Sequence, residues 1–199
     1  ELDLIEDVTF AHPKDMQDGL IEVGPEDITT NLPYVEGVCL AFDHHASEMT
    51  RVKNKPGNHV IDPKAPSAAR VVYDYFGGAE KFSDISPDMM AAVDKADSAN
   101  FTKDEILNPT GWVLLSFIMD ARTGLGRFRD FNISNYQLMM KLIDHCRNHE
   151  TIDQILALTD VKERVELYFE HIKKFREQIE RCSRVIGNLV TLDLRKEPT

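Results

Sequence analysis

The sequence predicts an α/β fold: a parallel sheet in the first third of the chain, a predominantly helical second half and a long C-terminal helix. Three observations carry that prediction. The run GVCLAF from Gly37 to Phe42 has no polar alternation, the pattern of a strand buried on both faces, as in a parallel sheet. Helix-opening signals recur after it, with Ser86-Pro87 and Asn108-Pro109 each placing a capping residue before a first-turn proline. Finally, Val161, Val165, Tyr168, Ile172, Phe175, Ile179, Cys182 and Ile186 recur in alternating steps of four and three, a seam with a period of about 3.5 residues along one long helix.

Composition bounds what this fold can do. At 199 residues the chain can bury one sizeable core, and 42% hydrophobic with 29% charged residues is ordinary for a globular protein. A net charge of −11 disfavours a general surface for long nucleic acid or anionic membrane, which would need clustered Lys and Arg. An anionic substrate would instead need a local positive centre, such as a metal. Cys39, Cys146 and Cys182 are widely spaced and odd in number, so neither a disulfide framework nor a thiolate metal site is indicated, and free thiols in a reducing cytoplasm are expected. The longest uncharged apolar run, Gly111 to Met119, falls short of the roughly 20 residues that span a bilayer. The chain opens at Glu1 with no methionine, and the expectation is a fragment.

Taken in order, Glu6 to His12 reads as a strand stopped by Pro13, followed by a polar loop through Lys14, Asp15, Asp18 and Gly19. A short β-branched strand over Asp27 to Asn31 is blocked by Pro33. The central strand then ends on Asp43, His44 and His45, before a polar loop around Lys53 to Gly57. Ala65 to Phe76 is an amphipathic helix stopped by Gly77 and Gly78. Ser86-Pro87 opens a helix running toward Asp97, and Asn108-Pro109 one containing Trp112 to Met119. Three further N-caps are expected at Ser134 with Gln137, Thr151 with Gln154 and Asp160 with Glu163. The seam helix should end at Gly187, and Leu189 to Leu194 alternates like a new strand. Its narrow apolar stripe suits either a partner helix in a homodimer or, as preferred, packing along its own domain.

Two groups of residues could carry chemistry. His44 and His45 can turn toward one site only beyond the strand end, because successive side chains within a strand point to opposite faces. Carboxyl ends of strands in open α/β sheets line the ligand crevice, and imidazole is a common metal ligand that Asp43 could orient. The alternative is a solvated polar strand end. Asp94 and Asp97 close the Ser86 helix, where a carboxylate opposes the helix dipole unless a cation offsets it. A loop carboxylate capping the next segment is the competing reading.

FDHHASE after a buried strand, APSAARVVYDYFGG as the next helix, and AVDKADSANF together resemble the DHH family of phosphoesterases. The resemblance extends over nearly the whole chain and is nearest to bacterial exopolyphosphatase-related proteins. It implies a parallel-sheet DHH domain over residues 1–159 lacking its first strand and first motif, a linker helix over 160–187, and the first strand of a truncated substrate domain over 188–199. It further implies two Mn²⁺ ions, with Mg²⁺ or Co²⁺ as substitutes. His44 and Asp97 are then metal ligands, and His45 contacts substrate phosphate or metal-bound water with Asp43 as its orienting partner. The second-motif ligand falls on Asn31 by position or on Asp27 by chemistry. Arg122, in DARTGLG, could add a guanidinium fork to a substrate phosphate, or be a surface arginine beside flexible glycines.

The function implied is a metal-dependent phosphohydrolase acting on polyphosphate or a short nucleotide or oligonucleotide, with two metals about 3.5–4 Å apart clamping an in-line displacement by water. Two rivals stand beside it: a non-hydrolytic nucleotide- or metal-binding regulatory protein on the same fold, and a dimerisation fragment built on the long helix.

Overall fold

In the computed structural model, which describes residues 5, 7–54, 56–120 and 130–197, the α/β prediction holds. Strands β1 (Ile28–Thr30), β2 (Leu40–Asp43) and β3 (His59–Ile61) form a parallel sheet in the order β1-β2-β3. Thr30 pairs with Phe42 and Phe42 with Val60, so these side chains share one face. Helix α3 (Ala68–Tyr75) covers that face, its Tyr75 and the adjacent Phe76 packing on the Phe42 ring at 5.1 and 5.7 Å. Thr29, Ala41, Asp43, His59 and Ile61 take the other face by alternation. Beside it lies α2 (Ala46–Arg51), which starts directly after the triplet.

The sequence reading differs from the structure where local signals compete. Residues 7–12 form no strand; instead His12 caps the short helix α1 (Pro13–Gln17), its side chain accepting the Lys14 N–H at 3.1 Å, with Pro13 at the first helical position. Lys14 and Asp15, expected in a polar loop, are therefore helical, while Asp18 and Gly19 form the turn that follows. Neither α2 nor β3 was expected, each being too short to show a clear period.

Among the described residues, the elements from Pro87 to Cys182 are all helices, as expected. Ser86 caps α4 (Pro87–Ser98). Thr102 and Glu105 form a reciprocal capping box on α5 (Lys103–Leu107), so Asn108 closes that helix, and Thr110 rather than Asn108 opens α6 (Gly111–Met119). Ser134 with Gln137 and Thr151 with Gln154 form capping boxes on α7 (Asn135–Arg147) and α8 (Ile152–Ala157). Helix α9 (Thr159–Cys182) starts from Leu158, so Asp160 is not a cap. It lies in the first turn, favourable for the dipole, and its carboxylate accepts from Lys141 at 2.7 Å.

Helix α9 also stops short of Gly187. Residues 183–186 leave it as strand β4 (Ser183–Ile186), paired antiparallel with β5 (Leu189–Leu192). Gly187, at φ 59°, and Asn188 form the two-residue turn, the left-handed geometry that such hairpins require. The hairpin bonds between strands compete successfully with another helical turn.

Leu114, Leu115, Ile118, Leu138, Leu142, Ile155, Val161 and Tyr168 form the helical core, with Val165 and Ile172 packed against it. Each fully buried side chain of this size contributes about 1.5–3 kcal/mol. The first half of the α9 seam thus packs within its own domain, whereas Phe175 is half exposed. Among the described residues, no helix is long and apolar enough to cross a membrane.

Candidate metal centre

β2 ends at a deeply buried carboxylate, and the chain turns sharply around it. Asp43 is 2% exposed, and its Oδ1 accepts the backbone N–H groups of His44 at 2.8 Å and His45 at 3.2 Å. The same oxygen lies 2.7 Å from His45 Nδ1. One atom therefore fixes both the turn out of the strand and the direction of the His45 ring. That ring is about half exposed, with its Nδ1 edge toward Asp43 and its Nε2 edge away from it.

His44 is oriented by a different partner. Its Nδ1 lies 3.1 Å from the Ala65 carbonyl, which can only accept, so the proton belongs on Nδ1. Nε2 then carries a lone pair. It is buried, has no hydrogen-bond partner, and sits 3.1 Å from Asp97 Oδ2. Two acceptor atoms at that separation repel unless a cation lies between them or the ring carries a second proton. A nitrogen lone pair and a carboxylate oxygen form a donor set suited to a borderline or hard divalent metal, and the orphaned Nε2 fits one.

The position of Asp97 comes from helix packing. Asp97 Oδ2 accepts the Ala68 N–H at the start of α3 at 3.3 Å. One turn earlier on α4, Asp94 accepts from Ser67 Oγ at 2.7 Å and from Arg70 Nε and Nη2 at 3.0 and 2.5 Å. Ser67 is itself the α3 N-cap. These bonds fasten the end of α4 to the beginning of α3 and hold Asp97 opposite His44. Ala99 then ends the helix in a left-handed conformation, φ 53°.

The structure brings Asp43, His44, His45 and Asp97 together. Asn31 stands at the same sheet edge, its N–H bonded to the Phe42 carbonyl at 2.9 Å and its φ at 57°. Asp27 lies at the amino end of β1, where its Oδ2 accepts the Gly24 N–H at 2.7 Å, so it is not beside these groups. Arg122 lies outside the described residues.

A layer beneath the edge was not expected from the sequence. Oxygens of Asp43 and Glu48 and a ring nitrogen of His59 lie within 4.8 Å of one another. Glu48, buried on α2, accepts the Tyr34 N–H at 3.0 Å and two Arg51 bonds at 2.7 and 2.6 Å. The Arg51 guanidinium holds the Glu48 carboxyl below its usual pKa, against burial, which raises it. Burial lowers the His59 pKa, with Asp43 and Glu48 opposing. Glu48 did stand in the FDHHASE segment, but only its return onto β3 reveals this contact.

The chain is similar to a pGpG-specific phosphodiesterase. That solved structure, PggH from Vibrio cholerae, is 57% identical in sequence, with a TM-score of 0.88. The match covers the whole of this chain and 63% of PggH, so the chain spans less than two thirds of that protein. No family model and no curated protein matches the chain. PggH is a phosphodiesterase named for a short dinucleotide, whereas the sequence resemblance pointed nearest to exopolyphosphatase-related proteins.

Proposed function

We propose that this chain is the metal-holding part of a phosphodiesterase that hydrolyses a short linear dinucleotide, with pGpG as the first substrate to test. The observation that carries the reading is the convergence of the orphaned His44 Nε2 and Asp97 Oδ2 at the sheet's carboxyl edge. Similarity to PggH along the full chain supports the substrate class. Divalent metal, here two Mn²⁺ with Mg²⁺ or Co²⁺ as substitutes, would supply Lewis acidity and a deprotonated water nucleophile.

The chain's own residues do the rest. His44 offers Nε2 with its tautomer fixed by the Ala65 carbonyl, and Asp97 offers Oδ2 from the end of α4. Asn31, at the end of β1, is the nearer of the two second-motif candidates to this edge. His45 faces the open side and, anchored through Nδ1 to Asp43, presents Nε2 to a phosphoryl oxygen. Protonated, it would donate a charge-assisted hydrogen bond and stabilise charge as the phosphorus is attacked. Water adds to the internal phosphodiester, the 3′-oxygen leaves with a proton, and pGpG becomes two GMP.

Mn²⁺-dependent release of GMP from pGpG by the intact protein is expected, at a rate well above phosphate release from polyphosphate. His44→Ala should lower kcat/KM by more than about 100-fold, the loss of a directly bound group being worth at least that of its supporting shell. Faster polyphosphate hydrolysis would reassign the substrate. Unchanged turnover in His44→Ala would reject the metal-centre reading.

A further inference from the structure

Of the Asp43, Glu48 and His59 cluster, only Asp43 enters the mechanism above; Glu48 and His59 lie beside it with no role there. The chemistry of the cluster argues against a second metal site. Both Glu48 oxygens already accept hydrogen bonds, from Arg51 and from the Tyr34 N–H, so a cation there would have to displace a guanidinium. What remains is a histidine beside two buried carboxylates. His59 Nε2 is sealed from solvent and without a hydrogen-bond partner, and the ring is stacked on Tyr34 at 5.0 Å. Tyr34 is held in turn, its N–H on Glu48, its carbonyl accepting from Arg51 at 2.6 Å and its hydroxyl donating to Asn58 at 3.2 Å.

We propose that His59 is a positioning residue of the catalytic edge: its Nε2–H is directed to the buried Asp43–Glu48 carboxylate pair and fixes Asp43, and through Asp43 the His45 ring. Two features support the assignment. All three hydrogen bonds made by Asp43 to its successors fall on Oδ1, so a donor on the other side of the carboxyl is needed to stop it rotating. A buried, unpartnered ring nitrogen on a histidine that lies within 4.8 Å of two carboxylates is better satisfied as N–H than as a bare lone pair, with one bridging water completing the contact. His45 then inherits its direction from a chain of buried groups. The sheet register, placing His59 beside Ala41 on the Asp43 face, builds that chain.

This inference rests on the phosphodiesterase reading, and its test separates the two. Turnover of pGpG by the intact protein with Mn²⁺ is measured for wild type, His59→Phe and His59→Gln, alongside long-range ¹H–¹⁵N spectra of the imidazoles. Phe keeps the ring on Tyr34 but removes the nitrogen, and Gln restores an N–H close to the Nε2 position. Expected are an Nε2-protonated His59 in the wild type, a 10- to 100-fold lower kcat with KM unchanged in His59→Phe, a shifted His45 tautomer ratio, and recovery of most of the lost activity in His59→Gln. Full activity with an unaltered His45 spectrum in His59→Phe would overturn the role. So would His59→Gln as impaired as His59→Phe while equally well folded. An inactive wild type would instead sink the phosphodiesterase reading, leaving the His45 tautomer shift to decide on His59.

Discussion

One oxygen of Asp43 determines both the backbone turn that leaves β2 and the anchorage of the ring that would face substrate. Asp43→Asn keeps the size but removes the charge that His45 is oriented against. Its kcat is expected to fall roughly 10- to 100-fold, with stability lower by about 1–3 kcal/mol, measured by steady-state kinetics and chemical denaturation. The beginning of this arrangement is legible in the sequence because Asp43, His44 and His45 are consecutive at the end of an apolar run. His59 is not, because its partnership with Asp43 depends on a three-residue strand with no detectable period. Asp97 is intermediate: the helix that carries it is visible from Ser86-Pro87, but the Asp94–Arg70 and Ser67 bonds that aim it are tertiary.

Acid sensitivity at the same scale follows from Glu48 and His59. Both groups have folded-state pKa values below their ordinary ones, Glu48 mainly through Arg51 and His59 mainly through burial. A depressed folded pKa favours folding above the unfolded value, and that contribution disappears as pH falls through the folded one. Stability should therefore begin to decline below about pH 6.5 as unfolded His59 becomes protonated, and decline further below about 4.5 through Glu48. In denaturant titrations from pH 7.5 to 4, His59→Phe should remove the first limb, while an unchanged first limb would assign it to other groups.

At the scale of elements, capping boxes were the most readable signals, since Ser134 with Gln137 and Thr151 with Gln154 need only local sequence. Asp160 matched the same spacing and was not a cap, because Leu158 enters from α8 and leaves Asp160 inside the helix. The end of α9 departs from the sequence pattern for the opposite reason. The apolar seam continues through Cys182 to Ile186, but its last step belongs to a hairpin whose turn is Gly187-Asn188.

Arg164 on α9 fastens two elements of the helical half, and its charge hides it from a reading of apolar periodicity. It is fully buried, donating to the Ile133 carbonyl at 2.7 Å, Asn135 Oδ1 at 3.0 Å, the Asp160 carbonyl at 2.8 Å and Glu163 at 3.0 Å. Its guanidinium also lies 4.0 Å from the Phe131 ring centroid. These contacts join α9 to the start of α7. Arg164→Met preserves much of the volume but leaves those acceptors unsatisfied, and a loss of about 3–5 kcal/mol is expected by chemical denaturation. A loss below 1 kcal/mol would mean that water replaces the guanidinium there.

For the whole molecule, the candidate centre draws its two best-placed donors from different layers. His44 comes from the sheet, whereas Asp97 comes from α4, which packs on both α3 and α6 of the helical half. A cation held by both would therefore stabilise the junction of the layers, and by linkage its binding free energy would appear in the folding free energy. At a Mn²⁺ concentration about 100 times Kd the gain should be about 2.7 kcal/mol. For a chain of this size that corresponds to roughly 5–10 °C in Tm. His44→Ala and Asp97→Ala should each abolish most of the shift. Asp94→Ala should reduce it while leaving both donor side chains in place, because α4 loses its bonds to Ser67 and Arg70. Thermal unfolding of the intact protein across a Mn²⁺ series checks this with no substrate present. An equal Mn²⁺ shift in wild type and His44→Ala would place the cation elsewhere on this acidic chain.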